Sequence, residues 1–326
     1  MNKTVRWGIL GPGKIAHKFA SALNHTPGAE LVAVASRDAE RAQHFANQFK
    51  ARRAYSDYRQ LAEDGEVDIV YVATPHAFHC EHTLLCLEHH KAVLCEKPLA
   101  LNNEQVSRMI NTARKQACFL MEGMWSRCLP FTRKIEALLD EIGPVQFVRA
   151  DFGFRAPADP ASRLFDPALG GGSLLDVGIY PIALATLFLG EPAGIYATGR
   201  LAATGADEYC NIQLRYPGGQ SASLLSSIGM QTGLTAEIVG TKGRVEVPAP
   251  WYKTERFTRY LGFNEGQQEF HFPHDHNGYE YEIREAMRCL QEGLTESPLL
   301  PHSFSMQLSR IMDEVRRQCG VVYEAD

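Results

Sequence analysis

Lys97, Asp176 and Tyr180 are the side chains of this sequence with the clearest capacity for acid–base work. Lys97 closes the run Ala92-Val93-Leu94-Cys95-Glu96-Lys97-Pro98, in which an apolar segment delivers a carboxylate and an ammonium together before a turn proline. Tyr180 follows Asp176 by four residues in Gly170-Gly171-Gly172-Ser173-Leu174-Leu175-Asp176-Val177-Gly178-Ile179-Tyr180-Pro181, a spacing that sets both on one face of a helix. A phenol is a poor base at neutral pH, but a neighbouring ammonium favours the phenolate. A Tyr–Lys pair can therefore exchange a proton with a substrate hydroxyl, assistance worth about 10²–10⁴-fold. Asp176 would hold a second hydroxyl or orient the lysine. Spacing alone fits equally a tyrosine packed beneath a sheet, a carboxylate near a helix start and a solvated lysine.

A proton pair of this kind needs a hydride carrier, and the start of the chain is built to hold one. Val5-Arg6-Trp7-Gly8-Ile9-Leu10 reads as a buried strand, Gly11-Pro12-Gly13-Lys14-Ile15-Ala16 has the form G-x-G-x-x-A, and Ile15, Ala16, Phe19, Ala20 and Leu23 continue at helical spacing. A helix starting there points unpaired N–H groups at the turn, and the glycines let a pyrophosphate approach the backbone. A tight turn with small residues for packing is the plain alternative; the strand before and helix after favour a dinucleotide. At the tip of the second strand, where an NAD-binding protein places an acid on the ribose, stand Ala35-Ser36-Arg37-Asp38. Ser36 leaves no carboxylate to repel a 2′-phosphate, and Arg37 offers that phosphate a fork, with Arg41 a turn further on. NADP(H) is thus preferred, with NAD(H) possible. Asp38 would be a ribose acid or, better suited, the N-cap of the next helix.

Ala73-Thr74-Pro75-His76-Ala77-Phe78-His79 and Cys95-Glu96-Lys97-Pro98 end two further strands on the carboxyl edge of a parallel sheet, where such folds bind ligands. Thr74, Pro75, His76, His79, Glu96 and Lys97 are therefore expected around the cofactor. His76, His79 and His82 lack neighbouring carboxylates or cysteines at ligand spacing, so no metal is expected.

These residues require a scaffold of alternating elements. Strands at 4–10, 30–36, 68–73, 91–95 and 117–121 alternate with helices at 14–24, 39–49, 57–63, 79–89 and 103–116, the pattern of a doubly wound parallel sheet. Beyond residue 121 the rhythm changes. Helices near 130–140 and 173–188 precede strands at 193–202, 208–216, 220–227, 234–240, 243–247, 256–261 and 268–272, separated by turns such as Tyr216-Pro217-Gly218-Gly219 and Asn264-Glu265-Gly266. Helices at 278–292 and 303–319 follow. The expected fold is α/β: a Rossmann domain over 1–122, then an α+β domain over 123–326 with a large, mostly antiparallel, open-faced sheet.

The chain has 326 residues, 45% of them hydrophobic and 22% charged, with a net charge of -5, which gives no general attraction to nucleic acid or anionic membrane. No apolar run approaches the roughly 20 residues that span a bilayer. The eight cysteines lie mostly in apolar runs and never as C-x-x-C, as suits reduced thiols in the cytoplasm.

Taken in order, Gly11 to Ala16, Ala35-Ser36-Arg37, Ala73-Thr74-Pro75, Glu96-Lys97-Pro98-Leu99, Glu122-Gly123-Met124-Trp125-Ser126-Arg127, Gly170 to Tyr180, Gly240-Thr241-Lys242-Gly243-Arg244 and Glu296-Ser297-Pro298 resemble the glucose–fructose oxidoreductase/inositol dehydrogenase (Gfo/Idh/MocA) family, in its branch of dihydrodiol and NADP-dependent D-xylose dehydrogenases. The resemblance implies that Lys97 is the catalytic lysine, Tyr180 the proton donor or acceptor and Asp176 a substrate-placing group. It also implies that Trp125, Phe154, Trp251 and Tyr279 wall the substrate site, that Arg163 reaches the cofactor, and that a homodimer forms through the open sheet. The activity implied is hydride transfer between nicotinamide and a secondary alcohol or hemiacetal carbon of a sugar or cyclic trans-diol. The alternatives are a non-catalytic NADP-sensing regulator of the same fold and, with no feature favouring it, redox-assisted elimination.

Overall fold

The structure, a computed structural model, describes residues 4–262 and 265–326. The expected turn residue Asn264 lies outside the described residues. Two compact units divide the chain: Met1–Cys128 with Asp275–Ser305, and Leu129–His274 with Met306–Asp326.

The first unit opens with β1 (Val5–Leu10), α1 (Lys14–Asn24), β2 (Ala29–Ala35), α2 (Ala39–Phe49), β3 (Arg53–Tyr55), α3 (Tyr58–Glu63), β4 (Ile69–Val72), α4 (His79–Glu88), β5 (Ala92–Glu96), α5 (Asn103–Gln116) and β6 (Leu120–Gly123). Its six strands run in the order β3-β2-β1-β4-β5-β6 and every pairing is parallel. β4 and β5 are buried along their whole length, as strands covered on both faces must be. The order reverses between β1 and β4, which puts the ligand crevice at their carboxyl ends. Side-chain caps fix the helix starts: Asp38 accepts from the Arg41 N–H at 3.0 Å, and Asn102 from the Gln105 N–H at 3.0 Å. β3 has no apolar alternation to betray it in sequence, and its Arg53 pairs with Asp64 at 2.8 Å.

The second unit contains α6 (Pro130–Ala137), α7 (Leu139–Ile142), β7 (Val145–Gly153), α8 (Ile179–Leu189), β8 (Gly194–Leu201), β9 (Asp207–Arg215), β10 (Ser221–Ser227), β11 (Ala236–Gly240), β12 (Gly243–Val247), β13 (Arg256–Leu261) and β14 (Glu265–His271). In sequence there follow α9 (Glu280–Gln291), which belongs to the first unit, and α10 (His302–Cys319), which passes from the first unit into the second after Ser305. The eight strands lie in the order β14-β13-β12-β11-β7-β10-β9-β8, antiparallel except where β7 meets β10. β9 shows the sheet's two faces: Cys210, Ile212 and Leu214 are buried while Asn211, Gln213 and Arg215 between them are exposed. α8 is apolar all round and buried from Ile179 to Thr186, as a helix within a core must be.

Two expectations need correction here. The stretch Pro167–Leu189 is long and apolar enough by composition to cross a bilayer, although 83% of its apolar window is buried inside the protein. The helix carrying Asp176 and Tyr180 also opens irregularly: Leu174–Gly178 is a π turn with bonds from i to i+5. Four residues fall short of a full turn there, so the simple one-face relation of an α-helix does not hold between the two side chains.

Candidate functional site

In the first unit the glycine turn is the starting point. Gly11 has φ +93°, and a Cβ on it would stand 2.8 Å from Thr74 Cγ2 and 3.1 Å from Ala73 O. The fold itself demands glycine there. Gly13 differs, because the nearest atom to a Cβ on it is Ala73 O at 3.9 Å, an ordinary contact. Gly13 also stands as the N-cap of α1 with no side chain capping the helix and no acid in its first turn, so the helix's first N–H groups are left without a side-chain acceptor. Open space in front of donors is what a phosphate group requires, and the turn fits a dinucleotide.

Around the turn, Arg41 Nε donates to Pro12 O at 3.2 Å, and Ser36 Oγ accepts from the Asp38 N–H at 3.2 Å. Asp38 is thereby the helix cap rather than a free acid. Arg37 lies over the Phe78 ring at 5.6 Å, and Phe78 stacks on His82 at 5.8 Å. His82 Nδ1 is 3.0 Å from Thr74 Oγ1, and burial pushes this imidazole down to about 4. His79 has no exposed surface. Its Nδ1 lies 2.7 Å from Pro98 O and its Nε2 2.8 Å from Thr74 O, and burial, opposed by these bonds, brings its pKa to about 4. This ring braces the loops after β4 and β5 that carry Thr74 and Lys97: each nitrogen faces a backbone carbonyl, and the single N–H of the neutral ring donates to one of them. The ring of the buried His76 stands 5.6 Å from it.

Glu96 and Lys97 end β5. Glu96 Oε2 accepts from the Lys97 backbone N–H at 3.3 Å, and Glu96 Oε1 accepts from the Tyr71 hydroxyl. A cluster that no sequence spacing announced lies with them. Glu122 Oε1 accepts from the Leu99 N–H at 2.8 Å and Oε2 from the Ser305 hydroxyl at 2.5 Å, while burial raises its pKa. Glu282 on α9 is wholly buried, with neither carboxylate oxygen hydrogen-bonded; burial and then the Glu96 charge push its pKa well above the usual range. Trp125 and Tyr279, both expected as substrate walls, stack with centroids 4.6 Å apart and planes 10° from parallel.

In the second unit Arg163 Nη1 donates to Asp176 Oδ1 at 3.1 Å, joining two residues to which separate duties had been assigned. Tyr180 is buried against Phe152 at 5.3 Å and Tyr252 at 5.5 Å, and those two rings stack on each other at 4.1 Å. Neither neighbour was among the expected aromatics. The signal existed for Phe152, which shares a strand face with Phe154 by period 2. Trp251 is 2% exposed and its indole N–H donates to Asp151 O at 2.8 Å, which anchors the loop that presents Tyr252. Phe154 is half-buried, and its backbone N–H donates to Ser227 O at 3.0 Å.

The glycines before this helix serve Asp207, another residue without a sequence signal. Gly172 has φ +128° and no room for a Cβ beside Asp207, and the Asp207 carboxylate accepts from the Ser173 hydroxyl at 2.6 Å and the Leu174 N–H at 2.7 Å. Burial raises this carboxyl to about 6. Asp207 thus fixes the start of the segment that carries Asp176.

Comparison with known proteins adds to this geometry. Residues 5–124 match a family described as an oxidoreductase family with an NAD-binding Rossmann fold, and residues 132–246 match the GFO/IDH/MocA C-terminal domain. The chain is 42% identical to trans-1,2-dihydrobenzene-1,2-diol dehydrogenase of Danio rerio and 37% identical to that of Homo sapiens, covering 99% of both chains in each case. Among solved structures, a 3-ketoreductase from Actinomadura kijaniata with NADP and TDP-benzene superposes with a TM-score of 0.88 at 27% identity, over 97% of this chain and 98% of the other.

Proposed function

Since the chain belongs to the Gfo/Idh/MocA oxidoreductase family and is an enzyme of the nicotinamide-dependent dehydrogenase class, we propose that it is an NADP-dependent dehydrogenase acting on a secondary alcohol or hemiacetal carbon of a sugar or cyclic trans-diol. The observation that carries the cofactor reading is the contrast between the two turn glycines: the fold requires Gly11 but leaves room for a side chain at Gly13, where a glycine suits a group bound against the turn. NADP over NAD is supported by Ser36 and Arg37 at the end of β2, with Arg41 fastened to Pro12.

When bound, the nicotinamide supplies the hydride acceptor or donor. The chain's own residues do the rest. The N–H groups at the start of α1, with Gly11, Pro12, Gly13, Lys14, Ile15 and Ala16, hold the diphosphate; Arg37 and Arg41 neutralise the 2′-phosphate. Thr74, Pro75, His76 and Glu96 shape the crevice from the ends of β4 and β5, with His79 bracing it. Tyr180 takes the substrate's hydroxyl proton, and Lys97 serves as the catalytic lysine. Asp176, oriented by Arg163, accepts a second substrate hydroxyl. In the first unit Trp125 and Tyr279, and in the second Phe154, offer flat apolar faces suited to a sugar or a diol ring. Cofactor binding falls to residues 1–122, and substrate binding and dimerisation to residues 123–326. In this reading a second copy packs on the outward face of the second sheet, where Asn211, Gln213 and Arg215 are exposed, and the reduced thiols suit the cytoplasm.

The deciding experiment follows nicotinamide absorbance with NADP⁺ and a panel of D-xylose, D-glucose, inositol and a trans-dihydrodiol. Turnover with one of them, lost in Lys97→Met and Tyr180→Phe, supports the reading. Tight NADP binding without turnover on the whole panel makes the protein a sensor instead.

A further inference from the structure

The end of α10 is sewn to the second sheet. The Gln318 side chain accepts from the Ala197 N–H at 2.7 Å and donates to Ile195 O at 2.8 Å, which holds the last turn of the helix against β8. The next residue is Cys319. Gly199 of β8 stands opposite Cys210 of β9 in antiparallel register. A Cβ placed on Gly199 would lie 3.2 Å from Cys319 Sγ and 3.5 Å from Cys210 Sγ, so the missing side chain leaves a gap that both sulfurs border. Both thiols are free.

Their surroundings differ. Cys210 is fully buried, with its sulfur 3.4 Å from Asp207 Oδ2, whereas Cys319 is only partly buried. The neighbouring Cys210 thiol lowers the pKa of Cys319, while the Cys319 sulfur and then burial raise that of Cys210. An accessible thiolate beside a protected thiol is the arrangement of an attacking and a resolving cysteine. The other six cysteines are buried, and for Cys86 and Cys289 burial pushes the thiol up to about 12.

We propose that Cys210 and Cys319 form a redox modification site, in which a hydroperoxide oxidises Cys319 and Cys210 closes a disulfide that fastens the end of α10 to β9. In the first step the Cys319 thiolate attacks the peroxide; an S–O bond forms, the O–O bond breaks and hydroxide leaves. In the second the Cys210 sulfur attacks Cys319; the S–S bond forms, the S–O bond breaks, and the departing hydroxide takes the Cys210 proton as water. Two thiols lose two electrons and two protons, and hydrogen peroxide becomes two waters. A dithiol reverses the change by exchange. Closing the bond also removes the Cys210 S–H from beside Asp207, the carboxylate that holds Ser173 and Leu174.

The test treats the full-length protein with graded hydrogen peroxide, blocks remaining thiols by alkylation, digests without reductant and maps peptides by mass spectrometry. The expected product joins the Cys210 and Cys319 peptides within one chain, lighter by two hydrogens than their sum, and disappears with dithiothreitol. Cys319 should react at least ~10-fold faster than the six buried thiols. Cys210→Ser should leave a Cys319 sulfenic acid that dimedone traps, and Cys319→Ser, at a partly exposed helix end, should leave Cys210 reduced. Both cysteines remaining alkylatable at every dose would overturn the proposal. So would a Cys319 link between two chains, or its conversion to sulfinic acid without a link in the unmutated protein.

Discussion

Replacing Glu282 by Gln should change how stability responds to pH, and in a known direction. Glu282 has no exposed surface, neither of its oxygens has a hydrogen-bond partner, and Glu96 adds repulsion to the cost of desolvation. Its native pKa is therefore raised, while in the unfolded chain a glutamate titrates near 4.3. Below that value both states hold the proton and the group is neutral in its effect. Above it the unfolded chain releases the proton and the native state keeps it, so this group lowers stability by about 1.4 kcal/mol per pH unit until the native carboxyl also ionises. Glutamine has the same shape and carries no titration. Its amide adds a cost or gain that does not vary with pH, so the slope isolates the proton. Urea denaturation of both proteins at pH 5.0, 5.5 and 6.0 should show the variant gaining about 1.4 kcal/mol on the parent across that unit, with equal m-values. Parallel pH curves would refute the reasoning, because they would mean that Glu282 is ionised in the native state.

Gly11→Ala should cost about 1–3 kcal/mol in thermal unfolding, since its φ of +93° and the nearness of Thr74 forbid a side chain, whereas Gly13→Ala should keep the parent's stability and weaken NADP⁺ binding measured by titration. Equal effects on both readouts would remove the distinction. Arg37→Ala should raise the KM for NADP⁺ much more than that for NAD⁺ in steady-state kinetics. Asp207→Asn should flatten the fall in stability expected as pH rises from the unfolded carboxyl value near 4 toward the native value of about 6, again read by denaturation at stepped pH.

Much of the first unit was legible because its residues obey local rules. Asp38 caps α2 as its place before Ala39-Glu40-Arg41 suggested, and the buried strands β4 and β5 announce themselves as continuous apolar runs. Properties that depend on distant partners were not legible. Asp207 looks like any polar residue before a strand until Ser173 and Leu174 come to it, and Glu282 sits on an amphipathic helix where nothing in the spacing says that it faces Glu96. The π turn at Leu174–Gly178 escaped because hydrophobic periodicity cannot separate one wide turn from an ordinary one in an all-apolar helix. The family resemblance pointed to Trp251, yet the ring beside Tyr180 belongs to Tyr252.

The hydroxyl of Tyr323 donates to Gly171 O at 2.8 Å, across 152 positions of sequence, and Arg316 holds Asp326 nearby at 2.8 Å. At about 5–20 residues per second of synthesis, the loop at Gly171 waits roughly 8–30 s on the ribosome before its partner exists. A nascent chain therefore has its first strands, and the glycine turn after β1, long before the loop ahead of Asp176 is secured. Assembly of the second unit follows the calendar of translation, and a chain released short of Tyr323 would carry a Gly171 carbonyl without its hydroxyl donor.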